Sequence, residues 1–243
     1  MSIDRRTVLM TPLLLTTGAA QAAQPQKPQE GQQAWTISLP DGLPAVRCWL
    51  YMPPGSTKPG KTWPLAIFLH GSGERGENLD AVKVHGPPKH IANGRHYPFI
   101  VCSPQLEAGA RWDPRRLHAM LQVLLKQLPA DADRVYATGL SLGGHGVWDW
   151  AAAFPNDLAA IAPVCGFGNP AAACNARQVP ARAYHGDADT VVPIAQQQAT
   201  VNALKACGGT VEFIIYPGEG HGSWNPAYED PALVPWLMAQ KRR

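Results

Sequence analysis

Arg134-Val135-Tyr136-Ala137-Thr138-Gly139-Leu140-Ser141-Leu142-Gly143-Gly144 is the stretch on which the fold turns. Its first half is β-branched and aromatic and reads as a short buried strand. From Gly144 to Phe154 the residues have helical character, with Trp148 and Ala151 to Ala153 on the run. The expected order is strand, sharp turn, helix. A serine on such a turn sits in a strained backbone conformation, and glycines two positions to either side let strand and helix approach closely. The hydroxyl of Ser141 is then pushed into solvent, where it can serve as a nucleophile. By itself the pattern is also a glycine-rich helix start, so the rest of a reaction centre has to be found elsewhere in the chain.

Outward from this turn, apolar runs bounded by Pro and Gly recur at Val46 to Tyr51, Leu65 to Leu69, Phe99 to Cys102, Val135 to Thr138, Ala159 to Val164, Ala181 to Tyr184 and Val211 to Tyr216. The first connections are short and suit antiparallel strands, while the later ones carry helices. That alternation predicts an α/β fold with a mostly parallel central sheet of about eight strands and helices on both faces. The clearest helix is Pro114 to Leu128, with Asp113 as N-cap, Pro114 at the first helical position and Leu117, Met120, Leu121, Leu124, Leu125 and Leu128 on one face. Two more are expected over Ile194 to Cys207, ended by Gly208-Gly209, and Ala232 to Lys241.

The 243 residues, 45% hydrophobic and 16% charged, suit one globular domain. A formal charge of +3 without a basic cluster longer than Lys241-Arg242-Arg243 argues against nucleic-acid binding. Arg5-Arg6, the apolar Val8 to Leu15 and the small residues Gly18 to Ala22 read as an export signal of twin-arginine character, residues 1–22, too short to span a bilayer, which takes about 20 apolar residues. Residues 23–33, rich in Gln and Pro, read as a flexible linker, and 34–243 as the catalytic domain. A periplasmic or secreted location follows, without stable membrane insertion of the mature chain. The five cysteines are odd in number, so in an oxidising compartment at least one stays free or pairs between chains. Cys48 and Cys102 lie in strand-like runs and read as buried small hydrophobes. Structural zinc is not expected, since C-x-x-C is absent from the sequence.

A catalytic serine needs a base to take its proton and an acid to orient that base. Tyr216-Pro217-Gly218-Glu219-Gly220-His221-Gly222 follows the last strand and offers His221 as the base. His185-Gly186-Asp187-Ala188-Asp189-Thr190-Val191-Val192-Pro193 follows another strand and offers Asp187 or Asp189 as the acid. Serine, acid, histidine is the chain order that the α/β-hydrolase architecture requires. His70-Gly71-Ser72-Gly73-Glu74-Arg75-Gly76, after Leu65 to Leu69, exposes backbone N–H groups. One of them, from Ser72 or Gly73, would join that of Leu142 in holding the oxyanion of a tetrahedral intermediate.

Taken together these motifs resemble the α/β-hydrolase superfamily and, within it, small bacterial esterases of the dienelactone-hydrolase and phospholipase/carboxylesterase type, with secreted peptidases nearby. The resemblance covers most of the mature chain. In such proteins H-G-x-x-D-x-x-V-P carries the acid at its fifth position, which implies Asp189, and G-x-G-H and H-G-x-G match Gly218 to His221 and His70 to Gly73. Dienelactone hydrolases use a cysteine nucleophile, and Ser141 occupies that place here.

The reading is an exported serine hydrolase that cleaves carboxylic esters through an acyl-enzyme, with Ser141, His221 and Asp189 as the triad and neither cofactor nor metal required. Its partner would be a small-molecule or oligomeric ester, with feruloyl, acetyl and polyhydroxyalkanoate esters among the candidates. A secreted peptidase using the same residues and a non-catalytic binding module are the rival readings. Gln105, Trp112 and Trp224 lie in loops on the active edge and are candidates for lining the acyl or alcohol pocket, although a buried tryptophan is as often packing. His70 and His185 are expected to hydrogen-bond their loops, and His145 to pack on the helix after Ser141. His85, His90, His96 and His118 lack metal-ligand spacing and are read as surface or structural. Glu74 and Arg75 are left between a loop-locking ion pair and contact with substrate.

Overall fold

The computed structural model describes residues 27–242, so the expected export signal lies outside the described residues. Eight strands form one sheet: β1 (Gly31–Ile37), β2 (Val46–Met52), β3 (Trp63–Leu69), β4 (Ile100–Pro104), β5 (Ala130–Leu140), β6 (Ala160–Val164), β7 (Ala181–Gly186) and β8 (Val211–Tyr216). Their order across the sheet is β1-β2-β4-β3-β5-β6-β7-β8. The β1/β2 and β2/β4 pairs are antiparallel and every later pair is parallel. Short links at the start and helical crossovers afterwards impose that division.

Alternation along the central strands feeds two cores. In β3, Leu65, Ile67 and Leu69 face one side while Ala66 and Phe68 face the other; in β5, Val135 and Ala137 oppose Tyr136. The first face is covered by α2 (Pro114–Gln127), α3 (Leu142–Ala153) and α4 (Ile194–Ala206), through Leu121, Leu124, Trp150, Val201 and Leu204. The second is covered by α1 (Gly86–Ala92), α5 (Trp224–Glu229) and α6 (Leu233–Met238), through Ile91, Tyr228, Leu233 and Leu237. Each central strand is thus buried on both faces, which is why these runs are continuously apolar. In α2 the Asp113 carboxylate accepts from the Arg115 N–H at 2.9 Å and Pro114 opens the helix, as its sequence predicts. Among the described residues no helix is long and apolar enough to cross a membrane.

Two expectations need correction. Residues 31–33 are not linker, because Gly31, Gln32 and Gln33 pair with Met52, Tyr51 and Leu50 in β1. Backbone pairing on an outer strand does not require apolar side chains, so composition hides it. Neighbouring polar groups reinforce the pairing: the Glu30 carboxylate accepts from the Gly55 N–H at 2.8 Å and Gln32 Nε2 donates to Pro88 O at 3.1 Å. The C-terminal helix is also shorter than Ala232 to Lys241, and α1 and α5 were not expected from the sequence. Cys174 and Cys207 form a disulfide, Cα–Cα 5.7 Å, that ties the segment Pro170–Ala176 to the end of α4. Cys48, Cys102 and Cys165 are free and buried.

Candidate active site

The residues singled out from sequence gather at the carboxyl ends of parallel strands, where open α/β sheets place their sites. Ser141 follows β5, Asp189 lies in the loop after β7 and His221 lies in the loop after β8. Ser141 has φ 51° and ψ −115°, a left-handed conformation that is costly for a residue with a Cβ. It is pinned by its own N–H donating to Val164 O and by its C=O accepting from the His145 N–H, both at 3.0 Å. Glycine is obligatory beside it. A Cβ on Gly143 would lie 1.9 Å from Leu69 O, and one on Gly139 would lie 2.7 Å from the Gly143 backbone. The G-x-S-x-G spacing is therefore the imprint of strand β3 and helix α3 passing at backbone contact.

Ser141 Oγ lies 3.0 Å from His221 Nε2, and His221 Nδ1 lies 2.8 Å from Asp189 Oδ2. With Nδ1–H donated to the carboxylate, Nε2 is left as the acceptor for the serine proton. Asp189 is buried, and its other oxygen accepts the N–H groups of Val191 and Val192, each at 2.9 Å. Burial pushes this carboxyl up, but the bonds from His221, Val192 and Val191 outweigh it and hold the group below the ordinary aspartate range. Asp187 does not reach His221. Its carboxylate accepts from the Gly218 N–H at 2.6 Å and so pins the turn that carries the histidine. The choice between two acids that spacing left open is made by geometry.

The residues expected to hold an oxyanion through their amides lie at the starts of helical turns. Leu142 opens α3, and Ser72 and Gly73 open the single turn Ser72–Glu74 after β3. The first N–H groups of a helix have no partner within it. Ser72 and Gly73 line the same cleft of about 190 Å³ as Ser141, His221 and Trp224. The loop below is locked from behind. His70 Nδ1–H donates to Gly71 O at 2.6 Å, its Nε2 accepts from the Leu106 N–H at 3.0 Å, and Trp112 Nε1 donates to His70 O at 3.1 Å. Burial drives the His70 pKa from 6.5 to about 4, so the ring stays neutral and keeps both bonds.

Gln105 and Trp112 are corrected by this arrangement. Neither lines the cleft that holds Ser141; Gln105 Nε2 donates to Glu74 O at 3.0 Å and Asn78 O at 2.6 Å, and Trp112 packs on Gly146 of α3. Both brace the oxyanion loop. Trp224 does line the cleft, its ring 5.3 Å from that of His221. Two further residues line it: Glu74, which the sequence left between a loop ion pair and contact with substrate, and His85, which it read as surface or structural. Only the fold of the loop after β3 brings His85 back over the site, its ring 5.1 Å from Trp224.

The remaining histidines bond to the framework. His145 Nδ1 meets Phe167 O at 2.7 Å, and His185, wholly buried, meets Gln197 through Nδ1 and Val192 O at 2.8 Å through Nε2. His185 Nε2 also lies 3.3 Å from Asp189 Oδ2. His90 pairs with Glu229 and His118 with Asp157. Among the described residues one group of potential metal ligands converges, Cys165, Asp189 and His221, with ligand atoms within 4.8 Å of one another. Burial pushes the Cys165 thiol up to about 12, so at neutral pH it holds its proton and is a poor ligand.

A family model described as the dienelactone hydrolase family matches residues 110–233. The chain belongs to the dienelactone hydrolase family. Within that family, a carboxymethylenebutenolidase homologue from Methylorubrum extorquens is 30% identical over 128 residues, 46% of this chain and 43% of that protein. The chain therefore spans less than half the length of this curated relative. A crystal structure of a thermostable esterase superposes with a TM-score of 0.75 at 28% identity, covering 87% of this chain and 63% of that one. Dipeptidyl peptidase 4 of Porphyromonas gingivalis superposes with a TM-score of 0.70 at 14% identity, covering 86% of this chain and 35% of the peptidase. These likenesses make the fold that of the α/β-hydrolases, as the order of the motifs implies.

Proposed function

We propose that this dienelactone hydrolase family protein is an exported serine hydrolase that cleaves carboxylic esters through an acyl-enzyme. The observation that carries the reading is the continuous hydrogen-bonded line Ser141 Oγ, His221, Asp189 at 3.0 and 2.8 Å. Ser141 Oγ attacks the ester carbonyl while His221 Nε2 takes its proton. The negative charge formed on the carbonyl oxygen is held by the N–H of Leu142 and by that of Ser72 or Gly73. His221 then returns the proton to the leaving alkoxide oxygen as the carbonyl–oxygen bond breaks. Water, deprotonated by the same nitrogen, releases the acid and restores Ser141. Asp189 keeps Nδ1 protonated and stabilises the imidazolium at each stage.

A serine in the place where dienelactone hydrolases use cysteine favours an open-chain ester over their lactone. The Cys174–Cys207 disulfide supports export to an oxidising compartment, in keeping with the signal-like first 22 residues. Labelling by a fluorophosphonate probe, lost in Ser141→Ala, is the expected result. An unlabelled wild-type protein would point to a binding module instead. In a panel of p-nitrophenyl esters and peptidyl anilides the esters should turn over faster, and faster amide cleavage would make the protein a peptidase.

A further inference from the structure

Glu74 is the polar group the mechanism leaves unexplained. It is 8% exposed and forms part of the cleft wall beside Ser141. Its Oε2 is buried without a hydrogen-bond partner. The basic nitrogens that approach the carboxylate, His70 Nδ1 and His85 Nε2, stop at 3.8 and 3.7 Å. The His70 N–H is already committed to Gly71 O, and that ring is neutral. No lysine or arginine nitrogen among the described residues comes within 4.0 Å of Glu74. Its neighbour Arg75 turns outward, donating to Ser72 O at 3.0 Å and Ala110 O at 3.1 Å. The ion pair within the loop that the sequence allows is therefore not made.

A buried carboxylate without a counter-charge is costly, and such groups persist where a ligand completes them. His85 does not supply the charge. Burial lowers its pKa below the ordinary histidine range, with Glu74 opposing that and Lys89 reinforcing it. The Trp224 ring stands between those of His85 and His221, at 5.1 and 5.3 Å. A neutral hydroxyl would supply a hydrogen bond to Glu74 and leave its charge uncompensated. An ammonium group supplies both and gains from the aromatic face.

We propose that Glu74, with His85 and Trp224, is a cation subsite, and that the substrate is a small ester carrying a protonated amine close to its scissile carbonyl. The inference rests on the serine-esterase reading and narrows it. A cleft of about 190 Å³ is smaller than the roughly 300–1,000 Å³ that takes drug-sized ligands, which suits a single aminoacyl or amino-alcohol unit.

The test uses isosteric esters on the full chain. On the acyl side these are the methyl esters of L-alanine, L-lactic acid and isobutyric acid, which place ammonium, hydroxyl or methyl at one position. On the alcohol side they are 2-(dimethylamino)ethyl acetate, protonated at neutral pH, and its uncharged isostere 3-methylbutyl acetate. We expect kcat/KM for the charged member of one series to exceed its neutral isostere at least tenfold at pH 7, and that ratio to collapse in Glu74→Gln. For the alanine ester the preference should also fade as pH rises through about 8, where an α-amino group loses its proton; that measurement needs only the wild-type protein. Charged and neutral esters cleaved equally well in both series, lactate preferred over alanine without a charge preference on the alcohol side, or a ratio unchanged in Glu74→Gln would each overturn the cation subsite. Hydrolysis of methyl isobutyrate that is lost in Ser141→Ala would leave the serine-esterase reading standing in all three cases.

Discussion

Two aspartates sit two positions apart in one loop, and only one touches His221. On that contact, Asp189→Asn should cut kcat by about 10⁴, the loss expected when a base is held in the wrong tautomer, whereas Asp187→Asn should change it only a few-fold through the Gly218 turn. Steady-state hydrolysis of one p-nitrophenyl ester compares them directly, and the reverse ranking would reject the assignment. His70 gives a second expectation, in stability. Its pKa is lowered by burial from 6.5 to about 4, so between those values the unfolded chain binds a proton that the fold refuses. Stability is full above about pH 6.5 and falls as the pH drops toward 4, by roughly 3 kcal/mol from this group. Urea unfolding at pH 7 and 4.5 should show a smaller difference between the two pH values in His70→Gln than in the wild type. Ser141, Asp189, His221 and the loop histidines were legible from sequence because each belongs to a motif next to a strand. His85 was not, and for Glu74 the choice between ion pair and substrate contact stayed open, since a ring folded back over a cleft and an unpaired carboxylate are facts of three dimensions. Gln105 and Trp112 sat on the right edge of the sheet but point to the underside of the loop, an orientation that residue type does not encode.

The turn between β5 and α3 shows how an element boundary is written in glycine. Gly143→Ala would drive a Cβ into Leu69 O, while a Cβ on Gly73 meets nothing within 4 Å. Overpacking commonly costs about 1–3 kcal/mol, and a backbone atom in the way should bring the cost to at least that range. Thermal melts should therefore show a large fall in Tm for Gly143→Ala and little change for Gly73→Ala. Apart from β5, which runs from Ala130 to Leu140 where only Val135 to Thr138 stood out, the inner strands and the long helices were read from sequence nearly to their ends, because burial on both faces and an apolar stripe leave strong signatures. β1 was missed, its first three residues being assigned to the linker, and so were α1 and α5. The first opens with polar residues and sends only Trp35 and Ile37 into the core, and the other two run only seven and six residues, too short for a periodic pattern to emerge.

At the scale of the whole molecule, Ser141, Asp189 and His221 come from three loops that only the completed sheet brings together, so site and fold cannot be assembled separately. Their order along the chain made the architecture legible, while the substrate was not, because it depends on what the walls of one small cleft leave unpaired. The left-handed backbone at Ser141 has a consequence for the molecule as a whole. Strain of about 1–3 kcal/mol at such a residue is borne by the surrounding structure, and a glycine there would relax it at an entropic cost of about 0.4–1 kcal/mol. Ser141→Gly should then melt higher than Ser141→Ala, both being without a nucleophile, and equal melting temperatures would show the turn to be unstrained. Under the proposed mechanism, thermal selection without an activity screen would drift toward a hardier, inert protein, and Ser141 is kept only by selection for turnover.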